Sequence, residues 1–238
     1  MSDITSKYLE YFKKLETKLR KIAGSASDTS SFRDILRLAK QRNPLIQFKA
    51  DLIEDLYGLR NVFAHKDRDK YIAEVNQLAF NSIDEILKLI ESPPQVGNIF
   101  KKKVYSVDTN NITEIVLREM QKNLYTHVPV YDNGKFIGVL TETTVLEWLV
   151  ENIKEGQAQF YKQTISRINR KYLNSPNNLY RFVPPNLNIF ETFKMFEETI
   201  EQNKRLGVIF ITENGGKNGK LIGIITAWDL PKIKEYLK

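Results

Sequence analysis

The sequence predicts a multidomain α plus α/β chain: an all-α bundle over residues 1–93, then two βαββα repeats. Three observations predict it. Apolar residues recur at spacings of three and four through residues 3–91, the period of amphipathic helices. Ser92-Pro93-Pro94 then ends that pattern, because proline offers no N–H to a helix and disfavours helical backbone before it. Beyond Pro94, short β-type runs alternate with helical ones, and the order recurs, with Gly138 and Gly223 standing 85 residues apart. The boundaries read as 1–93 for the bundle, 94–154 for the first repeat, 155–179 for a linker and 180–238 for the second repeat.

Within the bundle, Tyr8, Tyr11, Phe12, Leu15, Leu19 and Ile22 form the apolar stripe of a first helix. "GSASDTSS" interrupts it, and Ser30 or Ser31 is a candidate N-cap for "FRDILRLAKQR", which stops at Asn43-Pro44. "LIQFKADLIEDLYGLRNVFAH" reads as a third helix. "KYIAEVNQLAFNSIDEILKLIE" reads as a fourth, with Ile72, Val75, Leu78, Ile83, Ile86 and Leu87 on its apolar side.

In the first repeat, "KVYSV" is a strand candidate and "ITEIVLREMQKN" a helix. "THVPVYDNGKFIGVLT" is a hairpin turning at Asp132-Asn133-Gly134, and "TTVLEWLVENI" is a helix. The linker is polar, with a helical middle expected at "AQFYKQTISRINRKYL". The second repeat follows as "YRFV", "IFETFKMFEETIEQN", a Gly/Asn-turned hairpin over "GVIFITENGGKNGKLIGIIT", and "AWDLPKIKEYL". Such a repeat predicts two units burying a shared face about a pseudo-twofold axis.

Composition bounds the chemistry. With 42% hydrophobic and 27% charged residues, the chain has the profile of a soluble globular protein. No run approaches the roughly 20 apolar residues that span a bilayer, and the N-terminus has no apolar leader core, so a cytoplasmic protein is expected. The chain has no cysteine and two histidines, which leaves no disulfide framework or thiolate chemistry and makes no case for a metal site. The net charge of +7 permits an anionic ligand but reads first as a solubilising surface. No basic recognition helix stands out in the sequence, which leaves DNA-binding regulation without support.

The local chemistry of "GIITAWD" is specific. Thr226 stands where a strand gives way to a helix, so exposed N–H groups and a hydroxyl suit a phosphate. Asp229, in the first helical turn, can accept two hydrogen bonds from ribose hydroxyls. The same two residues also form a capping arrangement needing no ligand. "HVPVYDNGKFIGVLTETTVL" and "KLIGIITAWDL" together resemble a tandem pair of CBS domains, a Bateman module, over about residues 95–238. The resemblance implies two βαββα units packed through their sheets, with clefts for AMP, ADP, ATP, S-adenosylmethionine or cyclic di-adenylate as regulatory ligand. It assigns phosphate contact to Thr226 and ribose contact to Asp229. It completes that cleft from "VGNIF", with Gly97 and Ile99, and from Tyr125, Thr126 and His127. Tyr125 would lie against adenine; His127 and the run Lys101–Lys103 would meet phosphates. The first repeat departs from the pattern: Thr144 stands where the ribose-binding aspartate belongs, so one good site is expected.

The remaining motif is "LRNVFAHKD". Arg60, Asn61 and His65 resemble the Arg-X4-His motif of the HEPN family, over about residues 3–92. Many members of that family are dimeric, metal-independent endoribonucleases; others are inactive and only dimerise or bind. Histidine suits proton transfer near neutral pH, and arginine suits developing phosphorane charge. Arg60 and His65 lie about 140° apart around one regular helix, so a single helix would not aim both at one phosphate. The resemblance implies that a twofold dimer brings the two copies together. Two readings follow: a nucleotide-regulated ribonuclease acting on RNA, or a non-enzymatic sensor whose helical part only dimerises or binds a partner.

Overall fold

The computed structural model describes residues 3–24, 30–64, 74–154, 157–158, 162–176, 179–201 and 204–236. The chain divides into two compact units, residues 1–94 with 233–238, and residues 95–232.

The first unit is helical: α1 (Asp3–Ala23), α2 (Phe32–Arg42), α3 (Pro44–Phe48), α4 (Ala50–Ala64) and α5 (Gln77–Glu91). Its core follows the α1 stripe, with Tyr8, Phe12, Leu15 and Leu19 buried against Ile35, Leu36, Ile53, Phe63, Ile83 and Ile86. The Tyr8 hydroxyl, though buried, is satisfied: it donates to the Leu56 carbonyl at 2.5 Å. Ser31 caps α2 by accepting from Asp34 N. Two expectations are corrected. The long third helix breaks at Lys49, whose backbone (φ −92°, ψ 9°) separates α3 from α4. The fourth starts only at Gln77, because the Asn76 side chain accepts from Ala79 N and fixes the N-terminus there. Leu78, expected on the apolar side, is therefore 75% exposed in the first turn, whereas Val75 is buried ahead of it. Ile72 and His65 lie outside the described residues.

The second unit opens with the single turn α6 (Val96–Ile99). The first repeat is β1 (Val107–Asp108), α7 (Thr113–Asn123), β2 (His127–Asp132), β3 (Lys135–Thr141) and α8 (Glu142–Asn152). β1 runs parallel to β2, and β3 antiparallel to it. At the hairpin, Asn133 and Gly134 both take positive φ, as a type I′ turn demands. "KVYSV" contributes only its last residue to β1. The expected linker helix is another correction. The described residues there form the short hairpin β4 (Ile153–Lys154) and β5 (Gln157–Ala158), a 3₁₀ turn at Ile165–Arg167, and α9 (Arg170–Leu173). The second repeat restores the same order: β6 (Leu179–Val183), α10 (Ile189–Glu201), β7 (Leu206–Thr212), β8 (Leu221–Thr226), a 3₁₀ turn at Ala227–Asp229 and α11 (Leu230–Glu235).

The two sheets bury a common apolar face, where Val139 and Phe136 of β3 meet Phe182, Val208 and Phe210. The Phe136 ring lies edge-on to Phe182 at 5.0 Å. Each repeat is also strapped by the segment preceding the other. Gly223 has no Cβ, and one there would stand 2.5 Å from the Phe100 carbonyl; this lets Lys101 pair with Gly223 along β8. Gly138 plays the same part in β3, beneath the Leu173 carbonyl of α9. The tight approach at both positions explains why glycine recurs at the 85-residue interval.

Candidate functional site

The strap along β8 opens a cleft rather than filling one. Lys102 N donates to Ile222 O at 3.1 Å, and the chain then runs past the ends of β2 and β8. Between them lies a cleft of about 730 Å³, within the size range of small-molecule sites. Lys102, Lys103 and Tyr105 line it from the strap, Tyr125, Thr126 and His127 from the start of β2, Glu142 from α8, and Thr226, Trp228 and Asp229 from the end of β8. Leu124 turns the chain from α7 into this wall with left-handed backbone (φ 56°).

Asp229 Oδ2 accepts from Thr226 N at 2.8 Å and from Thr226 Oγ1 at 3.1 Å. The capping arrangement is thus present, and the second carboxylate oxygen makes no hydrogen bond among the described residues. Across the cleft, Tyr105 and Tyr125 stack with ring centroids 5.3 Å apart and planes within 20°. Burial, with Glu119 and Tyr125 nearby, raises the Tyr105 phenol above its ordinary pKa, so it is neutral at physiological pH.

His127 Nδ1 lies 2.9 Å from Thr126 Oγ1. Burial lowers its pKa from 6.5 to about 4, so it carries no charge near neutrality. Its Nε2 fits over Gly207, where a Cβ would come within 2.3 Å. The cationic charge of the cleft therefore comes from Lys102 and Lys103, set against the carboxylates of Asp229 and Glu142.

Thr226, Asp229, Tyr125, Thr126 and His127 are brought together. Lys101, Gly97 and Ile99 are not among the lining residues: Lys101 pairs with Gly223, Gly97 N donates to the Pro185 carbonyl at 2.8 Å, and the Ile99 carbonyl accepts from Lys232. Tyr105, Glu142 and Gly207 were missed in the sequence. An aromatic two residues beyond the lysine run was a readable signal for Tyr105; Glu142 joins the lining, and Gly207 backs His127, only through packing.

The corresponding position of the first repeat is closed. Thr144 N donates to Thr141 Oγ1 at 3.1 Å, and Thr144 Oγ1 reaches the Val139 and Tyr172 carbonyls at 3.4 and 3.3 Å. Thr144 has no exposed surface.

In the helical unit, Arg60 and Asn61 sit next to each other near the end of α4, half-buried, and Arg60 Nη1 donates to Asn61 Oδ1 at 3.2 Å. Asp67, like His65, lies outside the described residues. Among the described residues no group of three metal-ligating side chains occurs, and no helix is long and apolar enough to cross a membrane.

The family profile for the CBS domain matches twice, at residues 96–151 and 177–233. These two stretches form a tandem pair of CBS domains. No protein of curated function matches the chain. Among solved structures, the chain is similar to the CBS domain pair of protein MJ0100 in complex with 5′-methylthioadenosine and S-adenosyl-L-methionine. That match has 18% identity and a TM-score of 0.42, covering 61% of this chain and 99% of the other. It is similar also to CBSX2 in complex with AMP (18%, TM-score 0.41, covering 58% and 93%). A third is the conserved CBS domain protein TA0289 of unknown function from Thermoplasma acidophilum (16%, TM-score 0.41, covering 61% and 75%).

Proposed function

We propose that the cleft at Thr226 and Asp229 binds an adenine nucleotide, and that this binding regulates the helical unit. One observation carries the reading: a carboxylate with a free oxygen, a strand-end hydroxyl, a stacked tyrosine pair and two lysines line one cleft of about 730 Å³. The carboxylate suits ribose hydroxyls, Tyr125 suits a base, and Thr226 with Lys102 and Lys103 suits phosphate. AMP, ADP, ATP and cyclic di-adenylate all satisfy that chemistry; no metal is needed. Regulation requires the ligand to bind two states of the protein with different affinity. Thermal unfolding with a nucleotide panel tests the binding. At least one adenine nucleotide should raise the melting temperature, and Asp229→Ala should abolish the rise or strongly reduce it. An unchanged melting temperature across the panel refutes it.

For the helical unit the proposal is a HEPN-like domain acting as a homodimer in the cytoplasm, as a metal-independent endoribonuclease. The motif Arg60-Asn61 with His65, and the hydrogen bond that holds Arg60 to Asn61, support it. Wild-type protein should cut structured RNA in EDTA, and His65→Ala should not. The absence of cleavage with and without nucleotide selects the sensor reading, in which this unit only dimerises or binds a partner.

A further inference from the structure

The cations of α1 and α5 are largely spent on near neighbours: Lys7 pairs with Asp3, Lys14 with Glu10, Lys18 with Glu91 and Lys88 with Asp84. The polar face of α2 differs. Arg33, Arg37 and Lys40 recur at i, i+4 and i+7, alongside the buried Phe32, Ile35, Leu36 and Ala39. Arg33 and Lys40 make no ion pair among the described residues, and Arg37 has only a 3.9 Å contact with the exposed Asp34. These three side chains line a groove of about 560 Å³ with Gln41, Gln47 of α3 and Glu54 of α4. One lining carboxylate, Glu54, therefore faces three cations, of which Arg37 also touches Asp34 beside the groove.

We propose that this groove holds a phosphodiester strand. Four residues of helix advance about 6 Å, so the cations form a row along one wall rather than a single point of charge. Arginine forks and a lysine grip phosphate oxygens, while Gln41 and Gln47 offer neutral donors and acceptors for sugar hydroxyls or base edges. A bilayer fits less well, since α2 and α3 expose no large hydrophobic side chain to insert. The inference rests on reading the helical unit as acting on RNA and adds where the strand lies; it does not require that the strand be cut.

The test uses the full chain and a short fluorescent 2′-O-methyl RNA, which lacks the 2′-hydroxyl needed for self-attack. Anisotropy is followed between about 50 and 200 mM salt. Wild type should bind, with affinity falling as salt rises. The triple variant Arg33→Glu, Arg37→Glu, Lys40→Glu should bind at least about tenfold more weakly and lose about 2 from the log–log salt slope, at roughly 0.7 per phosphate contact. Glu54→Lys should tighten binding. Circular dichroism establishes that each variant keeps its helices. Binding without cleavage of ordinary RNA supports the groove and removes the endoribonuclease. Absence of RNA binding, RNA binding indifferent to both variants, or binding to phosphatidylserine vesicles or polyglutamate in place of RNA overturns the proposal.

Discussion

Thr226–Asp229 and Thr141–Thr144 occupy the same place in two copies of one fold, yet one pair faces a cleft and the other is sealed. The difference begins in a single side chain. Asp229 uses one oxygen on Thr226 and keeps the other, and the strap beside it presents lysines and a tyrosine. Thr144 spends its hydroxyl on Thr141 and on the Val139 and Tyr172 carbonyls, and α9 lies over β3. A duplicated fold has thus kept its geometry in both copies and its cleft-facing carboxylate in one.

The comparison can be broken most severely at Thr144. Thr144→Asp should not create a second site, because the position has no exposed surface. It should instead destabilise the protein by about 3–5 kcal/mol in denaturant titration, the scale of an uncompensated buried charge. Stability retained together with a second bound nucleotide would show that the closed site can open.

The next asymmetry is His127 against Gly207. The histidine pKa is lowered in the fold, so the folded state binds fewer protons than the unfolded one between about pH 4 and 6.5. Its contribution is therefore complete above pH 6.5 and lost as pH falls towards 4, by at most about 3 kcal/mol. His127→Leu should flatten that part of the stability profile. An equally steep profile in the variant assigns the dependence to other groups.

Smaller again is the loss at the open site. Asp229→Ala removes hydrogen bonds to a charged group, roughly 1.5–3 kcal/mol, and calorimetry should record binding weakened about 10- to 100-fold. The smallest effect compares the two straps. Gly223→Ala and Gly138→Ala should each cost about 1–3 kcal/mol through overpacking against backbone. Only Gly223→Ala should also weaken nucleotide binding, since it moves the strap that carries Lys102 and Lys103.

Much of this was legible in the sequence. The period of the apolar residues gave α1 and α2 nearly to the residue, and the 85-residue recurrence gave both repeats with their strand order. Boundaries failed where a side chain overrode the period, as Asn76 does in starting α5. The helical middle expected of the polar linker is reduced, among the described residues, to a 3₁₀ turn and the single turn α9, whose Leu173 packs against Gly138 of β3. At the site, Thr226 and Asp229 lie within one short quoted motif, and Tyr125 stands directly before another. Glu142 and Gly207 depend on how one repeat meets the other, which no local pattern encodes. The basic face of α2 was hidden by averaging, because residues 1–93 are nearly balanced in charge.

The central claim is that the duplicated fold holds one working site. Isothermal titration of the intact chain with AMP, ADP, ATP and cyclic di-adenylate tests it directly. The prediction is one nucleoside site per chain for the ligand that binds, abolished or strongly weakened in Asp229→Ala and unchanged in Thr144→Ser. Two equivalent sites per chain, or binding that Asp229→Ala leaves intact, would contradict it.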